Sequence, residues 1–262
     1  MKLGVIIPAA GASRRFGGRS KVAEDLGGRP VLQRTVELFV NRDEATCIVV
    51  AAPVVPDGAL NEFKARFADK FALLGVRICE GGREHRWQSV RNALAEIPDD
   101  CTHIAVHDGA RPCASTALID RVLEAARKHP AVIPALDVPD TLKRVSAEAV
   151  RDTDVDPLDA ILGDAGKSNV TVRRVEETVS RAHMVLVQTP QVFDAALLRR
   201  AYGQADLDST DDAQLIERLG ESVTVVEGDA WNVKITRPSD IDLARRILGA
   251  KGPSERPSHL KF

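Results

Sequence analysis

Apolar and polar positions along the 262-residue chain follow two spacings in turn. Short apolar runs at 3–8, 46–52, 75–79, 102–106, 131–135, 184–188 and 223–226 have strand length, the pattern of strands buried in a sheet. Between them the apolar positions recur at helical spacing. Val31, Leu32, Val36, Leu38 and Phe39 leave Arg34 and Glu37 for water, and Pro30 stands where a helix start tolerates proline. The same reading predicts helices over 60–71, 86–97, 117–128, 194–202, 210–219 and 238–248, and a short strand over 232–236. Thr210 is the expected start of its helix, with Asp211 and Asp212 in the first turn, where the helix dipole favours acids. Strands alternating with helices imply an α/β fold with a mostly parallel sheet covered on both faces.

The alternation lapses over 146–173, a stretch rich in Asp and Gly. Asp152, Asp154 and Asp156 have the spacing of a calcium loop, but Pro157 takes its glycine position and Gly163 its final acid, which excludes that motif. The stretch reads either as part of an arm leaving the sheet toward another subunit or as a disordered surface loop. The expected organisation is one domain over 1–250, with 137–182 as a projecting dimerisation arm and 251–262 as a disordered polar tail.

Charge narrows the function classes. Lys and Arg total 36 against 38 acids, and 4% of residues are aromatic, which argues against a nucleic-acid surface or a base-stacking platform. Cys47, Cys79, Cys101 and Cys113 form no C-x-x-C pair, so neither zinc nor a disulfide framework is indicated. The first apolar run is short and broken by Pro8, and no later run has the length of a membrane span. A soluble cytoplasmic protein is expected.

Candidate chemistry concentrates at strand ends. After Ile7 the chain runs Pro8-Ala9-Ala10-Gly11 and then carries Arg14, Arg15, Arg19 and Lys21. Small residues admit a ligand close to the main chain, successive N–H groups can face phosphate oxygens, and the cations suit a polyanion. The Walker spacing cannot be laid on this loop, and Ser13 replaces the second glycine of the dinucleotide fingerprint. A second loop, His107-Asp108-Gly109-Ala110-Arg111-Pro112, follows the strand at 102–106, where open parallel sheets collect ligands. Asp108 reads there as a ligand-binding acid or a turn cap, and His107 as a hydrogen-bonded neighbour.

These segments, with Gly81-Gly82, Ser89-Val90, Asp140-Thr141-Leu142-Lys143, Thr178-Val179-Ser180-Arg181, Gln188-Thr189-Pro190-Gln191, Thr210-Asp211-Asp212-Ala213 and 232–238, resemble the 2-C-methyl-D-erythritol 4-phosphate cytidylyltransferase family over nearly the whole chain. The resemblance implies a Rossmann-like nucleotidyltransferase that moves CMP from CTP to a polyol phosphate of the non-mevalonate isoprenoid pathway and works as a homodimer through the arm. It implies catalytic roles for Arg15, Lys21 and Lys234, and nucleotide binding by Pro8, Ala9, Ala10, Gly11, Gly82, Arg86 and Ser89. Asp108, Arg111, Thr141, Arg181, Thr189 and Lys234 would bind the acceptor, with Asp108 also holding Mg²⁺ or another divalent cation. The pattern departs from the family's at Ser13, at Val22 after Lys21, and by one extra residue between Gly82 and Arg86. A cytidylyltransferase for another polyol phosphate, such as ribitol 5-phosphate, and a non-catalytic nucleotide-binding protein are the alternatives.

Overall fold

Five of the six residues of β1 (Leu3–Pro8) are fully buried, and their alternation divides the core in two. Leu3, Val5 and Ile7 join a cluster on one face of the sheet, while Ile6 belongs to a cluster on the other. A strand apolar on both faces must lie inside a covered sheet, and β1 lies near its middle. The structure is a computed structural model and describes residues 1–11, 16–17, 19–148 and 172–250.

The strands that follow are β2 (Ala45–Ala52), β3 (Val76–Glu80), β4 (His103–Val106), β5 (Ala131–Asp137), β6 (Leu142–Val145), β7 (Val175–Val179), β8 (Val185–Val187), β9 (Gln191–Asp194) and β10 (Thr224–Glu227). The helices are α1 (Val31–Val40), α2 (Ala59–Leu73), α3 (Arg86–Ala95), α4 (Thr116–Ala126), α5 (Ala195–Tyr202), α6 (Ala213–Arg218) and α7 (Ser239–Ile247). The main sheet is ordered β10-β5-β9-β4-β1-β2-β3. Parallel pairing aligns Pro8 with Ala51 and Ile6 with Val106, so the β1 and β4 loops emerge side by side at the carboxyl edge.

The chain forms two compact units, Met1–Leu136 with Val187–Phe262, and Asp137–Leu186. In the second, β6 and β7 form an antiparallel ladder that pairs Leu142 with Val179. These strands are mostly exposed and carry adjacent like charges, Lys143-Arg144 on one and Glu176-Glu177 on the other, which is why no apolar run announced them. Most of the irregular stretch at 146–173, the residues 149–171, lies outside the described residues, as does the expected tail at 251–262.

β9, a strand the sequence did not single out, runs antiparallel between β4 and β5 in the mostly parallel sheet, because the chain returns to the sheet at its carboxyl edge and can only descend from there. Two expectations need correction. The expected strand at 232–236 does not form: Asn232 is buried and spends its side chain on the Thr189 carbonyl, and the segment touches the neighbouring loop through one backbone bond, Ile235 N–H to the Ala110 carbonyl. The helix expected from Thr210 begins at Ala213, because Gln214 caps the Thr210 N–H from its side chain and Asp211 caps the Gln214 N–H.

Candidate active site

The carboxyl edge carries two adjoining cavities. The larger, about 830 Å³, has Pro8, Ala9, Ala10 and Gly11 from the β1 loop, Lys21, Gly82 to Arg86, Ser89, Asp108 and Lys234 among its lining. The smaller, about 260 Å³, is lined by Arg86, Asp108, Arg111, Gln188, Thr189, Gln191 and Lys234 with their neighbours. Arg86, Asp108 and Lys234 line both.

Asp108 is the electrostatic centre. Its carboxylate meets Lys234 Nζ at 2.8 Å, Arg111 Nε at 3.4 Å and Arg86 Nε at 3.5 Å. Burial pushes the carboxyl pKa up, but Arg86, Lys234 and Arg111 outweigh it and hold the group well below the usual carboxylate range. Three cations thus converge on one carboxylate where the two cavities meet. Each is held from behind. Arg111 Nη1 donates to the Asn232 carbonyl at 2.7 Å. Lys234 is carried on the loop that Asn232 ties to Thr189.

Arg86, the first residue of α3, turns its other side to Asp212, whose side chain is fully buried, with Nη1 to Oδ2 at 2.7 Å. The Tyr202 hydroxyl donates to Asp212 Oδ1 at 2.5 Å. Burial works against the Arg86 charge, but Asp212 and Asp108 more than offset this and raise its pKa. Burial and the neighbouring Asp212 anion raise the Tyr202 phenol as well, so it serves as a neutral donor. Beside this pair, Gln191 donates to Asp211 and accepts from the Ala213 N–H, joining β9 to the start of α6.

His107 is fully buried and takes no part in the cavity lining. Its Nε2 lies 3.0 Å from the Arg111 carbonyl and its Nδ1 3.2 Å from Thr189 Oγ1, which itself accepts the Asp108 N–H. The consistent tautomer has Nε2 donating and Nδ1 accepting the Thr189 hydroxyl. His107 thus shapes the turn that presents Asp108 and Arg111. Burial lowers its pKa to about 4 from 6.5. The unfolded chain therefore takes up a proton on this ring before the folded one does, and folding stability falls as pH drops from 6.5 toward 4. The expected loss is about 3 kcal/mol. Urea unfolding of the parent and of His107→Gln at a series of pH values checks this: the stability gap between them should narrow as pH falls. A constant gap would contradict it.

The structure thus gathers Pro8, Ala9, Ala10, Gly11, Lys21, Gly82, Arg86 and Ser89 around one cavity, and Arg111 and Thr189 around its neighbour, with Asp108 and Lys234 shared. Lys21 sits on a short 3-10 turn, Lys21–Ala23, anchored by buried Val22 and Ala23. Arg15 lies outside the described residues. Thr141 and Arg181 belong to the second unit, where the Arg181 guanidinium donates to the carbonyls of Val138 and Pro139. Sequence reading gave Asp212 only a place in a helix's first turn and no role to Gln191 or Asn232, although all three stand in its motifs. The usable signal was polarity itself, a Gln opening the apolar pair Val192-Phe193 and an acid before Ala213.

Comparison with known proteins gives concordant results. The profile of the IspD family, described as 2-C-methyl-D-erythritol 4-phosphate cytidylyltransferase, matches residues 3–157 and 158–250. A protein of that name from Frankia casuarinae is 38% identical over 258 residues, covering 97% of this chain and 84% of the relative. One from Dehalococcoides mccartyi is 34% identical over 247 residues, covering 94% and 96%. The crystal structure of the Thermus thermophilus cytidylyltransferase superposes with a TM-score of 0.68 at 34% identity, covering 94% of this chain and 98% of that one. With its sheet, its cationic edge and its sequence all in agreement, the chain belongs to the IspD family of 2-C-methyl-D-erythritol 4-phosphate cytidylyltransferases.

Proposed function

We propose that the larger cavity receives CTP and the smaller one the phosphate of the acceptor, with Asp108, Arg86 and Lys234 at their junction. The reaction is transfer of CMP from CTP to 2-C-methyl-D-erythritol 4-phosphate, giving 4-diphosphocytidyl-2-C-methyl-D-erythritol and pyrophosphate in isoprenoid precursor biosynthesis. An acceptor phosphate oxygen forms a bond to the α-phosphorus of CTP, and the bond from that phosphorus to the bridging oxygen of the β-phosphate breaks. A phosphate monoester has its second pKa near ~6, so the nucleophile is already ionised at neutral pH and needs no general base. The obstacle is repulsion between two polyanions, and the observation that carries the assignment is the cluster of cations around Asp108 where the two cavities meet.

The residues divide accordingly. The Pro8–Gly11 main chain, Gly82 and Ser89 form the nucleotide cradle, while Lys21 and, from its place in the sequence, Arg15 stabilise the triphosphate. Arg111, Thr189 and Lys234 address the acceptor phosphate. Magnesium takes one or two carboxylates and completes its shell with water and substrate phosphates. Asp108, kept ionised in the junction, fits an ion that arrives with the nucleotide. Among the described residues no group of three or more His, Cys, Asp and Glu side chains forms a cage of the protein's own. When bound, such an ion neutralises triphosphate charge and makes the pyrophosphate a better leaving group.

Two assay results test this reading. Pyrophosphate release should require CTP, 2-C-methyl-D-erythritol 4-phosphate and a divalent cation together, and turnover without the cation would remove Asp108 from its metal role. In Lys234→Ala the KM for the acceptor should rise about tenfold or more, as expected for loss of a charged contact to phosphate. An unchanged KM would take Lys234 out of that pocket.

The second unit is proposed as the dimerisation arm. It exposes Val145, Val175, Met184 and Leu186, an apolar set suited to a partner protomer, and sedimentation at micromolar concentration distinguishes dimer from monomer. A reaction that consumes CTP also suits a cytoplasmic location, and among the described residues no helix is long and apolar enough to cross a membrane.

A further inference from the structure

Two consecutive buried residues, Gln188 and Thr189, bond to both loops that meet at the junction of the cavities. On one side the Thr189 hydroxyl accepts the Asp108 N–H at 3.1 Å. On the other, the Thr189 carbonyl accepts from Asn232 Nδ2 at 2.8 Å. Gln188 grips the same second loop from its side chain. Its Nε2 donates to the Asp229 carbonyl at 2.9 Å, while its Oε1 accepts the Asp229 N–H at 3.1 Å and shares Asn232 Nδ2 at 3.3 Å. The Gln188 N–H donates to the Pro134 carbonyl of β5 at 2.8 Å, so the grip is anchored in the sheet. The fit is close: a Cβ on Gly228 would lie 2.9 Å from Gln188 Oε1 and 2.9 Å from the Ala135 carbonyl oxygen. Although Gln188 lines the smaller cavity, these three bonds commit its amide to the loop.

We propose that Gln188 is a positioning residue for acceptor binding, which by pairing with the Asp229 backbone fixes the loop that presents Lys234 and Arg111 together beside Asp108. The inference rests on the assignment of these two cations to the acceptor phosphate. Both depend on this loop: Lys234 lies two residues beyond Asn232 and reaches Asp108 at 2.8 Å, and the Asn232 carbonyl takes Arg111 Nη1 at 2.7 Å. Residues 229–234 belong to no strand, so no ladder holds them. A side-chain amide offers the same donor and acceptor as a peptide group, and Gln188 supplies the pairing that a neighbouring strand would give. Without it the loop samples other conformations, and part of the binding energy of the phosphate goes into ordering it.

The test measures kcat/KM for 2-C-methyl-D-erythritol 4-phosphate at saturating CTP in the parent, Gln188→Met, Gln188→Asn, Lys234→Ala and the double variant Gln188→Met with Lys234→Ala. Met keeps the length of the side chain without its amide, and Asn keeps the amide one methylene short of the loop, so the two break the same bonds with different packing. Each should lower kcat/KM about tenfold in the parent background, equivalent to about 1.4 kcal/mol, with urea midpoints confirming that the variant is folded. In the Lys234→Ala background Gln188→Met should cost only about twofold, the part that passes through Arg111, because the ammonium it positions is already gone. A merely structural role would give the same factor in both backgrounds. Such additivity, or a parent-like kcat/KM in either folded variant, overturns the role of Gln188. A Lys234→Ala enzyme unchanged in this constant overturns instead the assignment of the acceptor phosphate beneath it.

Discussion

Replacing Lys21 with alanine should lower kcat about a hundredfold while changing the KM for CTP only a few-fold. Lys21 lines the larger cavity, and its turn is fixed by Val22 and Ala23, which are 6% and 8% exposed. An ammonium carried on a fixed turn is already aimed when the reaction begins, so it loses little in reorganisation. In the proposed arrangement it is, in the ground state, one of several positive charges near the triphosphate. As the bond to the β-phosphate breaks, negative charge grows on the departing pyrophosphate, and the contact strengthens. An interaction that grows along the reaction acts on kcat more than on binding. The magnitude corresponds to about 3 kcal/mol of transition-state stabilisation. Arg15→Ala should behave in the same way, on the strength of its place in the loop sequence. Steady-state kinetics at saturating acceptor would decide the matter: a Lys21→Ala enzyme within a few-fold of the parent in kcat would remove the residue from the reacting phosphates.

The largest expected effect on stability is that of Asp212→Ala, a loss of about 3 kcal/mol. The Asp212 carboxylate is fully buried between Arg86 Nη1 at 2.7 Å and the Tyr202 hydroxyl at 2.5 Å. Truncation strands two partners at once. Arg86, 28% exposed, keeps only Asp108, at 3.5 Å, against its charge, and the Tyr202 hydroxyl loses its acceptor. The cost reflects the uncompensated partner more than the worth of the pair, which in the intact protein has already offset its own desolvation. Tyr202→Phe supplies the internal scale, since it removes one hydrogen bond and no charge and should cost about 1 kcal/mol. Urea unfolding followed by circular dichroism measures both, and equal losses in the two variants would show that the Arg86–Asp212 charge pair carries no special weight. Asp212→Ala should also weaken catalysis, because Arg86 helps hold Asp108 at the junction of the cavities.

These two residues differ in how openly the chain declares them. Lys21 could be read directly, because the small-residue loop and its cations are neighbours in sequence and a strand end must precede them. The core could be read for a similar reason: buried strands and amphipathic helices impose spacings of two and about 3.6 residues that depend only on local geometry. α1 appears within a residue of its expected start, and β2 and β10 each within one residue of theirs. Asp212 was legible only as an acid in a helix's first turn. Its partner on α3 comes from far away in the chain, and nothing at either position names the other.

The sequence by itself determined the α/β alternation, the phosphate-friendly loop after β1, the Asp-Arg loop after β4 and, through the order of its motifs, the family. Tertiary structure decided the rest. It set the antiparallel course of β9, kept 232–236 from becoming a strand, and placed Lys234 and Arg86 on either side of Asp108. It also assembled the exposed hairpin of β6 and β7, whose ladder leaves little apolar trace. The physical reason is common to all of these. Burial patterns repeat along the chain and can be read locally, whereas a hydrogen bond or ion pair is specified by two positions at once and exists only when folding brings them within about 3 Å.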